Sequence, residues 1–202
     1  MSLIAVISIG TTIFVVAYVL LLSSSSIGGY PNERMLYALS NQTNDNQSSS
    51  ISILNKKGLD LLSSASYNEA ITYFDKALAI NSTDATALNN KGFALYSLGK
   101  YNDAIIYYDK ALAIRPNYAT ALNNKGLALN DLGNYTAAIT YYDKSLAIRP
   151  NDSTTLDNKG FALYSLGKYN DAISYYDKAL AIDPNDAIVL NHRGLALARK
   201  LY

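Results

Sequence analysis

Residues 88–116 read LNNKGFALYSLGKYNDAIIYYDKALAIRP, and this stretch decides the fold. Thirty-four residues on, Leu122–Pro150 reads LNNKGLALNDLGNYTAAITYYDKSLAIRP, and Leu156–Pro184 then reads LDNKGFALYSLGKYNDAISYYDKALAIDP. A looser copy, LNKKGLDLLSSASYNEAITYFDKALAINS, precedes them over Leu54–Ser82, and an opening half, LNHRGLALARKLY, starts at Leu190. A fixed period of this length marks an array of supersecondary units, not one globular core.

Each copy reads as two helices. Leu88, Gly92, Leu95 and Leu98 follow helical spacing, and Gly99 suits the left-handed turn past a helix end. Asn102 is the residue expected to cap the second helix. Ala104, Ile105, Tyr108, Ala111 and Leu112 give that helix one apolar face, and Pro116 stops it. Asp84, Asp152 and Asp186 stand just ahead of the next first helix, at the positive end of its dipole.

With Ala85 as position one, position eight is Gly58, Gly92, Gly126, Gly160 and Gly194. Position twenty is Ala70, Ala104, Ala138 and Ala172, and position twenty-four is Phe74, Tyr108, Tyr142 and Tyr176. Position twenty-seven is Ala77, Ala111, Ser145 and Ala179, and position thirty-two is Pro116, Pro150 and Pro184, with Ser82 departing. Over residues 51–202 this pattern closely resembles the tetratricopeptide repeat family. The resemblance implies an all-α, right-handed solenoid with repeats at 51–84, 85–118, 119–152 and 153–186, then a half repeat at 187–202 that caps the array. Position seven, usually apolar, is Lys57, Lys91, Lys125, Lys159 and Arg193, whose stems are expected to lie on the core with the charge snorkelling outward.

Outward from the repeats the texture changes. Leu3–Leu22 is twenty residues without a charge, long enough to cross a hydrocarbon core of about 30 Å as a helix. An uncleaved membrane anchor is the leading reading of residues 1–22. A cleaved secretory signal, which wants a basic n-region, and a buried helix stay open as alternatives. Residues 23–50 are dominated by Ser, Asn, Gln and Gly, and read as a flexible polar linker with a short helix at Glu33–Leu39. The repeats are expected outside the cytoplasm, anchored or secreted. Sequons at Asn41, Asn46, Asn81, Asn134 and Asn151 permit that location without arguing for it.

Catalysis has little to work with. His192 is the one histidine and there is no cysteine, so neither a metal site nor a nucleophile–base pair can be assembled from these types. Gly99-Lys100 and Gly167-Lys168 lack the rest of a phosphate loop, and Asp183-Pro184-Asn185-Asp186 lacks the turn glycine of a calcium loop. A net charge of +1 gives no pull toward nucleic acid. No cofactor is expected. The Asp-Lys pairs at Asp75, Asp109, Asp143 and Asp177 recur with the period and read as solvated helix faces, while Tyr108, Tyr142 and Tyr176 read as core with hydroxyls at the rim.

A second stripe remains on the first helices. It comprises Thr86, Asn90, Phe93 and Ser97; Thr120, Asn124, Leu127 and Asp131; and Thr154, Asn158, Phe161 and Ser165. The family resemblance puts these side chains on the concave face, where members use the asparagine to clamp an extended peptide. The lysine–asparagine clamp that some members close on a C-terminal carboxylate is not carried over, because Asn55 and Leu59, then Thr120 and Asn124, hold its positions. The expected role is a non-catalytic scaffold for a protein or peptide partner, with self-association through repeat ends as the alternative.

Overall fold

The computed structural model describes residues 33–201. Among them are nine helices and no strand: α1 (Glu33–Ser63), α2 (Tyr67–Ile80), α3 (Ala85–Ser97), α4 (Tyr101–Ile114), α5 (Ala119–Asp131), α6 (Tyr135–Ile148), α7 (Ser153–Ser165), α8 (Tyr169–Ile182) and α9 (Ala187–Lys200). Two compact units are distinguished, 1–49 and 50–202, and the second holds the repeats. The array is an all-α solenoid in which each helix packs on the next.

The short helix expected at Glu33–Leu39 is longer: from Glu33 it runs unbroken through the Ser- and Asn-rich stretch to Ser63. Hydroxyls there turn back onto the helix: Ser40 donates to the Tyr37 carbonyl and Thr43 to that of Ser40, both at 2.8 Å. Polar side chains satisfied by their own helix do not force it open. The expected anchor, Leu3–Leu22, lies outside the described residues, among which no helix is long and apolar enough to cross a membrane.

Within each repeat the two helices meet at the glycine of position eight. A Cβ on Gly92, Gly126 or Gly160 would stand 2.5–2.6 Å from the ring of Tyr108, Tyr142 or Tyr176, and one on Gly58 would stand 2.3 Å from Phe74. The missing side chain is what lets the aromatic lie flat on the first helix. Burial of these rings with Ala70, Ala104, Ala138 and Ala172 forms the core. The rim expectation is corrected at Tyr108 and Tyr142, whose hydroxyls are buried without a hydrogen-bond partner among the described residues. The ring must fill the glycine step, and its para position then points inward.

Gly99, Gly133 and Gly167 take positive φ of 74°, 78° and 74° where the first helix ends. Lys100 N–H then reaches back to the Leu95 carbonyl at 3.0 Å, closing the turn. Asp84 caps α3 through the Thr86 N–H, Asp152 caps α7 through Thr155, and Asp186 caps α9 through Ile188 and Val189. Asn102 is not a cap. Helix α4 already begins at Tyr101, with Lys100 in the capping place and no side-chain bond, because the glycine turn delivers the chain directly to a tyrosine that packs on the core.

The position-seven cations do not snorkel freely. Lys91 bonds Asp75 at 2.5 Å, Lys125 bonds Asp109, Lys159 bonds Asp143, and Arg193 bonds Asp177 at 2.5 Å. Lys125 and Lys159 also donate to the Tyr141 and Tyr175 hydroxyls at 2.8 and 2.6 Å and lie over those rings. The periodic aspartates lie on exposed helix faces, as expected, and serve in addition as inter-repeat ties. Each joins the second helix of one repeat to the first helix of the next.

Candidate functional site

First helices of neighbouring repeats touch one another from α3 to α9, whereas second helices do not. The first-helix side is thus the shorter, inner line of the array, and the sequence-derived stripe lies on it.

Its residues differ in what they leave available. Phe93 and Phe161 are 37 % and 38 % exposed, and Leu127 between them is half-buried. Phe93 stacks on Tyr96 with centroids 6.2 Å apart, and Phe161 on Tyr164 at 6.4 Å. Ser97 and Ser165 are half-buried, and each donates to the carbonyl four residues back, at Phe93 and Phe161, 3.0 Å away. These hydroxyls are spent within their own helices. Thr86 is half-buried beside the cap of α3, Thr120 accepts from Arg149 at 2.5 Å, and Thr154 is exposed. Asp131 is exposed and accepts from the Tyr96 hydroxyl at 2.5 Å, across to the preceding repeat. Burial first, and that bond second, hold the Tyr96 phenol well above its ordinary pKa, so it stays a donor.

The asparagines are already engaged. Asn124 Nδ2 donates to Asn89 Oδ1 at 3.1 Å, and Asn89 in turn donates to Asn90 Oδ1 at 3.2 Å. Asn158 donates to Asn123 Oδ1 at 3.1 Å. At the last junction the pair becomes Asp157 and His192 Nδ1, 2.8 Å apart, with His192 tilted against Phe161 at 5.5 Å. Burial pushes the Asp157 carboxyl above its usual range against the opposing pull of His192. Asn90 and Asn124 are buried, and Asn158 is half-buried. Asn90 Oδ1 is taken by Asn89, and Asn124 and Asn158 each spend one N–H on the preceding repeat, so the ladder offers a ligand the Asn90 amide nitrogen together with the Oδ1 and the second N–H of Asn124 and Asn158.

Sequence reasoning missed the residues one place earlier, Asn89, Asn123 and Asp157. The signal was present: a polar residue recurs at position five in every copy, and Asn89, Asn123 and Asp157 each stand thirty-five residues before the partner they meet.

An array of paired helices with one accessible inner face is a helical-repeat solenoid. The tetratricopeptide repeat model matches residues 49–117, 83–151 and 117–185, and the chain belongs to that family. Among solved structures it is similar to MamA residues 41–end from Desulfovibrio magneticus RS-1, at 26 % identity, TM-score 0.67, covering 75 % of this chain and 85 % of that one. It is similar in fold to YrrB, described as a TPR protein with an unusual peptide-binding site, at 23 % identity, TM-score 0.62, covering 80 % and 82 %. It also matches the first TPR of Spaghetti (RPAP3), solved with an HSP90 peptide, at 23 % identity, TM-score 0.57, covering 58 % and 96 %. No curated protein sequence matches the chain.

Proposed function

We propose that this protein is a non-catalytic protein–protein interaction scaffold that receives an extended peptide or partner segment along the inner face of its repeats. The observation that carries the reading is the row Phe93, Leu127 and Phe161, which leaves apolar surface accessible at repeat spacing beside the asparagine amides. Apolar side chains of a ligand fit between such rings, and polar neighbours fix its orientation. The peptide-binding site described for YrrB and the HSP90 peptide bound to Spaghetti, on the same fold, support that ligand class. The remaining stripe residues, Thr86, Ser97, Thr120, Asp131, Thr154 and Ser165, form the polar border of the proposed groove. The uncharged segment Leu3–Leu22 supports tethering to a membrane.

Capture from the source cell's extract tests this, with the parent chain compared against Phe93→Ser/Phe161→Ser. Those two side chains are a little over a third exposed and stack on Tyr96 and Tyr164, so some fall in melting temperature is expected; at a temperature where both chains are folded, the captured partner should be lost. Equal capture by both chains would sink the groove reading.

A further inference from the structure

The stripe on the inner face carries one charge, and that charge opposes its setting. Of the stripe residues only Asp131 is ionised. It is the last residue of α5, where the helix dipole is negative and a carboxylate is disfavoured. The equivalent places hold Ser97 and Ser165 in the flanking repeats and the cation Arg199 on α9. A residue that breaks a local rule in this way is expected where a ligand offsets the cost. Asp131 is exposed, and the donors that reach it are neutral: the Tyr96 hydroxyl on Oδ2 at 2.5 Å and, more distantly, Asn130 Nδ2 on Oδ1 at 3.4 Å. Among the described residues no lysine, arginine or histidine pairs with it. Asp75, Asp109, Asp143 and Asp177, by contrast, each meet a basic side chain across a repeat junction. Aromatic surface lies beside the carboxylate. Tyr96 stacks with Phe93 and is tilted against Tyr101, 5.3 Å between centroids, so the exposed Phe93 ring and Asp131 belong to one patch.

We propose that the groove selects a peptide segment of a partner protein that places a lysine or arginine on Asp131, between apolar side chains seated at Phe93 and Phe161. This rests on the groove reading above and names the chemistry of its ligand. A basic side chain is apolar along its stem and charged at its tip, so it lies on an aromatic ring while its tip meets a carboxylate. The ligand's cation supplies the counter-charge that Asp131 lacks and offsets its repulsion from the end of α5. Residues 1–32 of the chain contain no lysine, arginine or histidine, so that segment does not supply the cation. The site is built from three internal first helices, α3, α5 and α7, and each of them is flanked by further repeats.

Asp131→Asn removes the charge and keeps an acceptor for the Tyr96 hydroxyl, so the fold holds while the ligand loses its anchor. The probes are random peptides displayed on phage and selected on the full 202-residue chain in detergent solution. Enriched sequences are then synthesised with fluorescein and titrated by anisotropy. They should share a lysine or arginine flanked on both sides by apolar residues. Binding should weaken about fivefold or more for Asp131→Asn, and similarly when that basic residue is replaced by glutamine. The two changes together should cost little more than either alone. Selection repeated on Asp131→Lys should return an acidic residue at the same place. Peptides that are lost on Phe93→Ser/Phe161→Ser but carry no basic residue, or that bind Asp131→Asn as tightly as the parent, overturn this inference and leave the groove reading standing. No enrichment, or peptides indifferent to Phe93→Ser/Phe161→Ser, overturns both. A concentration-dependent dimer of the chain alone that Asp131→Asn dissociates also overturns the proposal, because it assigns the carboxylate to a second copy.

Discussion

Asn124 donates from Nδ2 to Oδ1 of Asn89, 3.1 Å away, and both side chains are buried between one repeat and the next. The bond makes the asparagine ladder a part of the array's stability as well as of its inner face. Asn124→Ala should cost about 1 kcal/mol, and Asn89→Ala a similar amount. The double variant should cost less than the sum by roughly 0.5–1 kcal/mol, since the second change removes a partner already lost. Urea unfolding of the four chains measures it. Strict additivity would mean that the two amides act independently.

Tyr142 buries its hydroxyl without a partner among the described residues, and burial holds that phenol far above its ordinary pKa. Phe74 occupies the same place in the first repeat and carries no such group. Tyr142→Phe should therefore stabilise the protein, by about 1 kcal/mol, by deleting a desolvated polar atom while keeping the ring on Gly126. Thermal unfolding decides the matter, and a clear fall in melting temperature would show that the hydroxyl is bonded after all.

Ala65 turns with φ 58° where the later repeats have glycine, and its turn closes in the same way, Ser66 N–H to the Leu61 carbonyl at 2.9 Å. A left-handed alanine costs roughly 1–2 kcal/mol, of which glycine's greater freedom in the unfolded chain returns a part. Ala65→Gly is expected to raise stability by about 0.5–1 kcal/mol. A variant melting below the parent would mean that the methyl group contributes packing that exceeds its strain.

Alkali should loosen the inter-repeat ties. Burial alone would lower the pKa of Lys91, Lys125 and Lys159, but Asp75, Asp109 and Asp143, with Tyr107, Tyr141 and Tyr175, outweigh it and hold the amines above their ordinary value. A cation whose folded pKa exceeds its unfolded one gives stability that is fully present below about pH 10.4. That stability is lost as pH rises through the folded value. Urea midpoints should hold from pH 7 to 9 and fall above 10. Lys125→Met should fall less steeply than the parent over that range, because one of the three proton-binding ties is gone. Parallel curves would remove Lys125 from the account.

Much of this was legible in residues alone. Periodic glycine, alanine, aromatic and proline positions announce helix pairs because each type does a local job: a left-handed turn at Gly99, a stop at Pro116, a close approach at Gly92. The caps at Asp84, Asp152 and Asp186 were readable for the same reason, since a carboxylate one residue ahead of a helix meets N–H groups of its own chain. Asn102 misled because an asparagine three residues past a glycine satisfies the capping rule on paper, while the packing of Tyr101 starts the helix before it.

What the sequence by itself determined is the repeating unit and its order, since propensity, turn chemistry and apolar period act over a few neighbouring residues. Contacts made across thirty-five or sixteen positions were decided only by the tertiary structure. Stacking turned Asn124 toward Asn89 and Lys125 toward Asp109, and buried the hydroxyl of Tyr142. A side chain's partners depend on which helix is laid against it, and no local rule fixes that.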